Sequence, residues 1–237
     1  GLYTTEPKPR VCCVIVKGNR VVGSGCHEKA GEAHAEINAI TLSVNDEKDA
    51  TAYVTLEPCC HHGKTPPCTD ALIKAGINRV VAAMQDPHDK VAGQGLQLLK
   101  EAGIKTEVGL MQAQAEELNP GFIKRMQTGR PFVRAKLAMS MDGRTAMASG
   151  ESKWITSEAA RNDVQHWRAR SSVIMTGVGT VLADDPSMTA RVNGDELATT
   201  RVVIDSNLSM PASAKRLSLP GHTIIMTTWE EDEVIAR

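Results

Sequence analysis

Two apolar stretches, residues 11–17 and 20–27, stand either side of Gly18-Asn19. Both are rich in valine and other strand-favouring residues, and the two-residue break between them predicts a β-hairpin. Ahead of them, residues 1–10 are polar, and Pro7 and Pro9 force an extended entry. A helix is expected from about residue 34, with Ile37, Ile40, Leu42 and Val44 as its apolar side, and a buried strand over 51–56. The pattern then predicts a helix over 69–75, a strand over 79–84, a helix over 94–102 stopped by Gly103, and a strand over 104–108. Residues 113–128 are helical in character but interrupted by Pro120-Gly121. An initial hairpin followed by alternating strands and helices implies a mixed sheet with helices on its faces.

Gly129-Arg130-Pro131 marks the expected boundary between domains 1–129 and 130–237. Beyond it a β segment is expected over 132–139 and a helix over 157–170, capped by Ser157 or Thr156, with strands over 173–176, 201–205 and 223–228. The second half is therefore another α/β unit.

Composition narrows the class. With 41% apolar and only 3% aromatic residues, the cores of this 237-residue chain rest on Val, Ile, Leu, Ala and Met. A net charge of −1, with no basic cluster interleaved with aromatics, gives no nucleic-acid surface. No apolar run is long enough to cross a bilayer. Six cysteines fit a reducing cytoplasm better than a disulfide framework, with Cys12, Cys13 and Cys26 packed in strands.

The candidate chemistry lies between residues 34 and 68. His34-Ala35-Glu36 is followed by Glu57-Pro58-Cys59-Cys60-His61-His62-Gly63-Lys64-Thr65-Pro66-Pro67-Cys68. One imidazole and two thiolates, from His34, Cys59 and Cys68, can hold zinc and leave a fourth tetrahedral position for water, the pattern of a catalytic site. A carboxylate two residues from the histidine, Glu36, would move protons for that water. Residues two apart on a helix point about 200° apart, so His34 and Glu36 serve one site only where the helix begins. Cys68 opens a helix whose N-terminal dipole favours a thiolate. A closed structural zinc is the competing reading, with Cys60, His61 or His62 as fourth ligand. The pattern resembles the zinc nucleobase deaminases.

The second half offers less. Gly177-Val178-Gly179-Thr180 lacks the third glycine of the dinucleotide fingerprint, and an ordinary tight turn explains it as readily. Asp184-Asp185-Pro186 reads as a carboxylate pair or a routine turn, and Trp154 and Trp167 as core or ligand-stacking residues.

Taken together, the motifs resemble the bifunctional riboflavin-biosynthesis deaminase–reductases. Ala30-Gly31-Glu32-Ala33-His34-Ala35-Glu36, Tyr53 through Cys59, His61 through Cys68 and Met84-Gln85-Asp86-Pro87 are similar to the deaminase half. The eight residues between Cys59 and Cys68 separate the chain from cytidine and transfer-RNA adenosine deaminases, which carry Cys-x-x-Cys there. Ala135-Lys136-Leu137, Ser140 through Arg144, Gly150 through Thr156 and Ala183 through Pro186 are similar to the reductase half.

The resemblance implies a cytidine-deaminase-like mixed sheet followed by a dihydrofolate-reductase-like α/β domain. It implies zinc-dependent deamination of a diaminopyrimidinone ribosyl phosphate, then NADPH-dependent reduction of the ribosyl group to ribityl. His34, Cys59 and Cys68 match the zinc ligands, Glu36 the proton shuttle, and His61 and Lys64 deaminase substrate contacts. Ala138, Trp154, Thr180, Asp184 and Ser206 match cofactor contacts; Lys136, Ser152, Arg168, Met188 and Arg191 match reductase substrate contacts. A cytoplasmic homo-oligomer, dimer or tetramer, is expected.

Lys8 stands where the family has Asn, at the rim of the deaminase pocket, and Cys12 and Cys60 stand for Gly and Ser. The family continues beyond the equivalent of Arg237 with an acidic substrate residue and a glycine-rich NADPH-phosphate loop. A chain of these 237 residues is therefore expected to deaminate well and reduce poorly. Two rival readings are a deaminase whose second half only binds ligand or assembles the oligomer, and a zinc-stabilised binding protein.

Overall fold

The computed structural model describes residues 1–44, 46–63, 65–89 and 91–230. The chain divides into two units, Gly1–Arg134 and Ala135–Arg237.

In the first unit β1 (Cys12–Lys17) and β2 (Arg20–Cys26) form the hairpin that Gly18-Asn19 predicts. Gly18 carries the positive φ of 59° that the turn needs. α1 (Ala35–Leu42), β3 (Thr51–Val54), α2 (Cys68–Lys74), β4 (Arg79–Ala82), α3 (Gln94–Glu101) and β5 (Lys105–Val108) follow. The sheet order is β2-β1-β3-β4-β5, antiparallel among the first three strands and parallel from β3 to β5. The parallel strands are reached through α2 and α3, as crossovers require. Ile15, Val54, Leu72, Val80 and Leu99 lie in the core formed between sheet and helices.

Pro120 splits the expected helix in two, α4 (Gln112–Leu118) and α5 (Pro120–Thr128). Proline has no N–H to continue α4 but suits the first position of a new helix. Asn119, at the N-cap, is buried, and its side chain bonds both backbone groups of Arg10: Arg10 N donates to Oδ1 at 2.7 Å, and Nδ2 donates to Arg10 O at 2.8 Å. The entry segment and α5 are thereby fastened together.

The cysteines depart from expectation. Cys12 and Cys26 are directly opposite in the β1–β2 register, with Cα atoms 4.0 Å apart, and they form a disulfide rather than packing as free thiols. Cys13 faces the other side and is a buried free thiol.

The second unit holds α6 (Glu158–Ala169), β6 (Val173–Gly177), α7 (Val178–Asp184), β7 (Ala190–Val192), β8 (Asp195–Leu197), β9 (Thr200–Ile204) and β10 (Thr223–Met226). Ser157 caps α6, its hydroxyl accepting from Ala160 N. The sheet β10-β9-β6 is parallel throughout, and Val203, Val181 and Ala214 pack beneath it. Residues 132–139, where a strand is expected, form none: β character needs a ladder partner, and this segment has none among the described residues. The β7–β8 hairpin was not foreseen, although Asn193-Gly194, with φ of 54° and 91°, is a strong two-residue turn signal. Among the described residues no helix is long and apolar enough to cross a membrane.

α1 lies directly on β2, and two glycines make the approach possible. A Cβ at Gly25 would sit 2.5 Å from Ala39 N and 2.8 Å from Ala35 O, and one at Gly23 would sit 2.2 Å from Ala39 O. Since these neighbours are helix backbone, they cannot yield without moving α1. Gly25→Ala is therefore expected to destabilise the first unit by about 3 kcal/mol. Urea unfolding followed by circular dichroism measures it; an unchanged midpoint would contradict this packing.

Candidate active site

His34 is the N-cap of α1, with extended φ and ψ of −74° and 164°. Its side chain therefore leaves the chain before the helical rotation begins, while Glu36 sits inside the first turn. The apparent conflict of a two-residue spacing is resolved at the helix start. Cys59 lies in the loop that follows β3. Cys68 is the first residue of α2, where Pro67 as N-cap sets the entry. Thr69 N donates to Cys59 O at 3.2 Å, which closes the loop on its own helix.

The three donor atoms converge. His34 Nδ1 is 3.3 Å from Cys68 Sγ and 3.5 Å from Cys59 Sγ, and all three ligand atoms lie within 4.8 Å of one another. Tetrahedral zinc with bonds of about 2.0–2.3 Å needs ligand separations of roughly 3.3–3.8 Å, so the set fits the ion. Among the described residues no other His, Cys, Asp or Glu joins the cluster; Cys60, His61 and His62 stand apart from it. One nitrogen and two sulfurs leave a fourth position open.

The electrostatics suit a cation. Cys59 is the thiolate of the pair: its pKa is pulled down to about 4, first by the hydrogen bond from Cys68 and then, against burial, by His34. Cys68 holds its proton, its pKa raised first by the same bond and then by burial. His34 favours its protonated form, chiefly through its bond to Cys59. A bound metal ion would take the place of these shared protons. Glu36 is 3% exposed, and burial raises its pKa.

A cavity of about 310 Å³ opens onto the cluster. His34, Glu36 and Cys59 line it together with His61, Asp86 and His88. His61 lines the cavity, and its Nδ1 is buried without a hydrogen-bond partner among the described residues. Lys64 lies outside the described residues.

Several supporting residues escaped the sequence reading. Thr65 Oγ1 is 3.3 Å from His34 Nε2 and fixes the far side of the imidazole. The His27 ring meets His34 edge-on at 5.3 Å, and its Nδ1 is 3.0 Å from Ala33 O. Glu57 is the most consequential. Its buried carboxylate accepts four backbone N–H groups: Asp86 and Gly93 on Oε2 at 3.1 and 2.9 Å, Gly95 and Leu96 on Oε1 at 3.0 and 3.2 Å. Gly95 admits this approach because a Cβ would lie 2.2 Å from Pro58 O. The Glu-Pro-Cys motif thus anchors the metal loop to the start of α3. The signal in sequence was the pair Gly93 and Gly95, whose purpose only the fold reveals.

In the second unit, Thr180 in the first turn of α7 and Ser206 each follow the carboxyl end of a parallel strand, β6 and β9. That edge is where ligands bind in open parallel sheets. Asp184 ends α7, its carboxylate 3.9 Å from Lys153 Nζ, which brings it close to the segment of Ser152 and Trp154. Trp154 is 71% exposed, with the Arg161 guanidinium 4.4 Å from its ring centroid. Arg168 donates to Thr189 O at 3.2 Å; burial and, secondarily, the neighbouring Arg191 lower its pKa. Lys136 and Ala138 lie in the irregular segment 131–140. The Met188 side chain is buried, its sulfur accepting from Arg216 at 3.1 Å.

The fold and the cluster define a zinc-deaminase-type unit followed by a second α/β unit. Residues 2–84 match the cytidine and deoxycytidylate deaminase zinc-binding region, and residues 131–236 match the RibD C-terminal domain. The chain is 52% identical over 243 residues to the riboflavin biosynthesis protein RibD of Escherichia coli, covering 98% of this chain and 66% of that protein. It superposes with a TM-score of 0.91 on Acinetobacter baumannii RibD, at 49% identity, covering 99% of this chain and 67% of that one. The same score relates it to a diaminohydroxyphosphoribosylaminopyrimidine deaminase/5-amino-6-(5-phosphoribosylamino)uracil reductase from Thermotoga maritima, at 37% identity, covering 98% of this chain and 66% of that one. The chain belongs to the RibD family of riboflavin biosynthesis proteins. It spans about half to two thirds of the length of the curated relatives it matches.

Glu57→Gln tests the anchor. An amide keeps one acceptor oxygen but turns an NH₂ group toward two backbone donors, so two buried N–H groups lose their partner. A loss of about 2–4 kcal/mol is expected, with weaker zinc retention. A melting temperature within 1–2 °C of the parent, in a range where roughly 1 kcal/mol shifts a domain this size by 2–4 °C or more, would contradict the assignment.

Proposed function

We propose that this chain deaminates the pyrimidine ring of a diaminopyrimidinone ribosyl phosphate in its first unit, and reduces the ribosyl group of the product to ribityl in its second. The observation that carries the first activity is the convergence of His34, Cys59 and Cys68 beside the buried Glu36 carboxylate, in one cavity. Family membership supports the substrate and the pairing of the two reactions.

His34, Cys59 and Cys68 would hold zinc, which when bound supplies the Lewis acidity that makes water nucleophilic near neutral pH. Thr65 holds the His34 ring through Nε2, so that Nδ1 stays directed at the thiolates. Glu36 takes the proton from the attacking water on a carboxylate oxygen and returns it to the departing amino nitrogen. A carbon–oxygen bond forms, the carbon–nitrogen bond breaks, and ammonia leaves. Burial of Glu36 excludes bulk water from that proton transfer. His61 offers a free ring nitrogen to the pyrimidine, and Lys64 is assigned beside it from the family pattern.

In the second unit NADPH would supply a hydride. Thr180 and Ser206 on the carboxyl edge of the sheet, with Ala138, Trp154 and Asp184, are assigned to the cofactor. Arg168 and Arg191 present neighbouring positive charges suited to a sugar phosphate, with Lys136, Ser152 and Met188 completing the substrate contacts. A homo-oligomer working in the cytoplasm fits a small-molecule biosynthetic enzyme.

Glu36→Gln is nearly isosteric but neither accepts nor returns a proton. Ammonia release is expected to fall by about 10²–10⁴-fold while zinc stays bound. Near-parental turnover in a zinc-loaded Glu36→Gln protein would remove Glu36 from the reaction.

A further inference from the structure

The cavity above the metal cluster has a wall that the shared deaminase region does not supply. That region ends at residue 84, whereas Phe122, Arg125 and Met126 line the cavity from α5. Spacings of three and four residues put these side chains on one face of the helix. Lys8 lines the same cavity from the Pro7-Lys8-Pro9 segment. That segment is rigid: two prolines flank Lys8, and its N–H donates to Thr5 O at 2.7 Å. Asn119, the N-cap of α5, bonds both backbone groups of Arg10, two residues beyond Lys8. Lys8 and Arg125 are thus presented by two pieces of backbone fastened to each other.

Charge is distributed unevenly in this cavity. Glu36 and Asp86 are buried, Glu57 is saturated by four backbone donors, and Glu32 is an exposed carboxylate on the lining, set against the two cations Lys8 and Arg125. Lys8 and Arg125 are exposed, and neither has a carboxylate or hydrogen-bond partner for its side chain among the described residues. Exposed cations on a protein surface commonly have only water for company; two unpaired cations on the wall of a catalytic cavity select for an anion in the ligand. A ligand that puts an amino-bearing ring toward Glu36 and an anionic group toward solvent fits this polarity.

We propose that Arg125 and Lys8 form the subsite for the phosphate of the ribosyl-pyrimidine, and that this subsite makes phosphorylation of the sugar a requirement of the deaminase unit. Phe122 and Met126 supply apolar contact on either side of Arg125. The inference rests on the deaminase reading above and adds to it the element that sets substrate choice. Arg125 is the stronger member, because a guanidinium grips phosphate through two N–H groups at once.

Ammonia release by the zinc-loaded chain from the ribosyl phosphate and from its dephosphorylated riboside tests it. In Arg125→Met the ratio of kcat/KM for the phosphorylated to the unphosphorylated substrate is expected to fall by about 10- to 100-fold, mainly through KM. Arg125→Lys should recover part of that ratio, and Lys8→Asn should lower it by a smaller factor. Inorganic phosphate should compete with the phosphorylated substrate and lose that effect in Arg125→Met. An unchanged ratio in Arg125→Met, or an equal loss on both substrates that Arg125→Lys leaves unrepaired, would overturn the proposal. Failure of the zinc-loaded parent chain to release ammonia from either substrate would instead overturn the deaminase reading, and the phosphate subsite with it.

Discussion

Four backbone N–H groups converge on the Glu57 carboxylate, and the zinc loop depends on them. A buried carboxylate without partners would be costly; with four charge-assisted bonds it becomes a fixed point. Two of the donors begin α3, and the others come from Asp86 and Gly93, so residues far apart in sequence are held to the residue just before Pro58-Cys59. The two sulfurs inherit that order: Cys68 N donates to Cys59 Sγ at 3.4 Å, and both lie within 3.5 Å of His34 Nδ1. On the other side α1 is pressed against β2 at Gly23 and Gly25, which sets where His34 and Glu36 emerge. The site is therefore the meeting point of two tight backbone contacts, one on each side of the sheet's middle strands.

Much of this was legible before the fold was known, where the signal was local. Gly18-Asn19 specifies its hairpin through backbone conformation alone, and Pro120 specifies a break. The candidate metal cluster of His34, Cys59 and Cys68 was legible because side-chain chemistry restricts which residues can hold zinc. Other features depend on partners distant in sequence. Nothing in residues 12 and 26 says that they will face each other, so the Cys12–Cys26 disulfide contradicts the expectation of packed free thiols. The segment 132–139 has strand composition but no ladder partner among the described residues, and composition does not supply one. Thr65 and Glu57 stood inside the motif, yet their roles appear only when the imidazole and the α3 amides arrive from elsewhere. Asn193-Gly194 is different: its signal was present and local, and it was overlooked.

The two units distribute positive charge in different ways. The first sets the buried carboxylates of Glu36 and Asp86 in the cavity of the His34–Cys59–Cys68 cluster, with Lys8, Arg125 and Glu32 exposed on its lining. The second gathers Arg168 and Arg191 within electrostatic reach of each other, and sets Thr180 and Ser206 at the carboxyl edge of a parallel sheet. In the first unit the wall that carries Arg125 lies beyond the matched deaminase zinc-binding region, so the cavity is built from both that region and α5.

The proposed deamination requires a metal held by one imidazole and two thiolates, with an open position. X-ray absorption at the zinc edge of the zinc-loaded chain tests that most directly. The predicted spectrum has two sulfur scatterers at about 2.3 Å and two light scatterers at about 2.0–2.1 Å, of which only one shows the outer-shell pattern of an imidazole. A third sulfur, from Cys60, or a second imidazole, from His61 or His62, would mean a closed structural site and would contradict the catalytic reading.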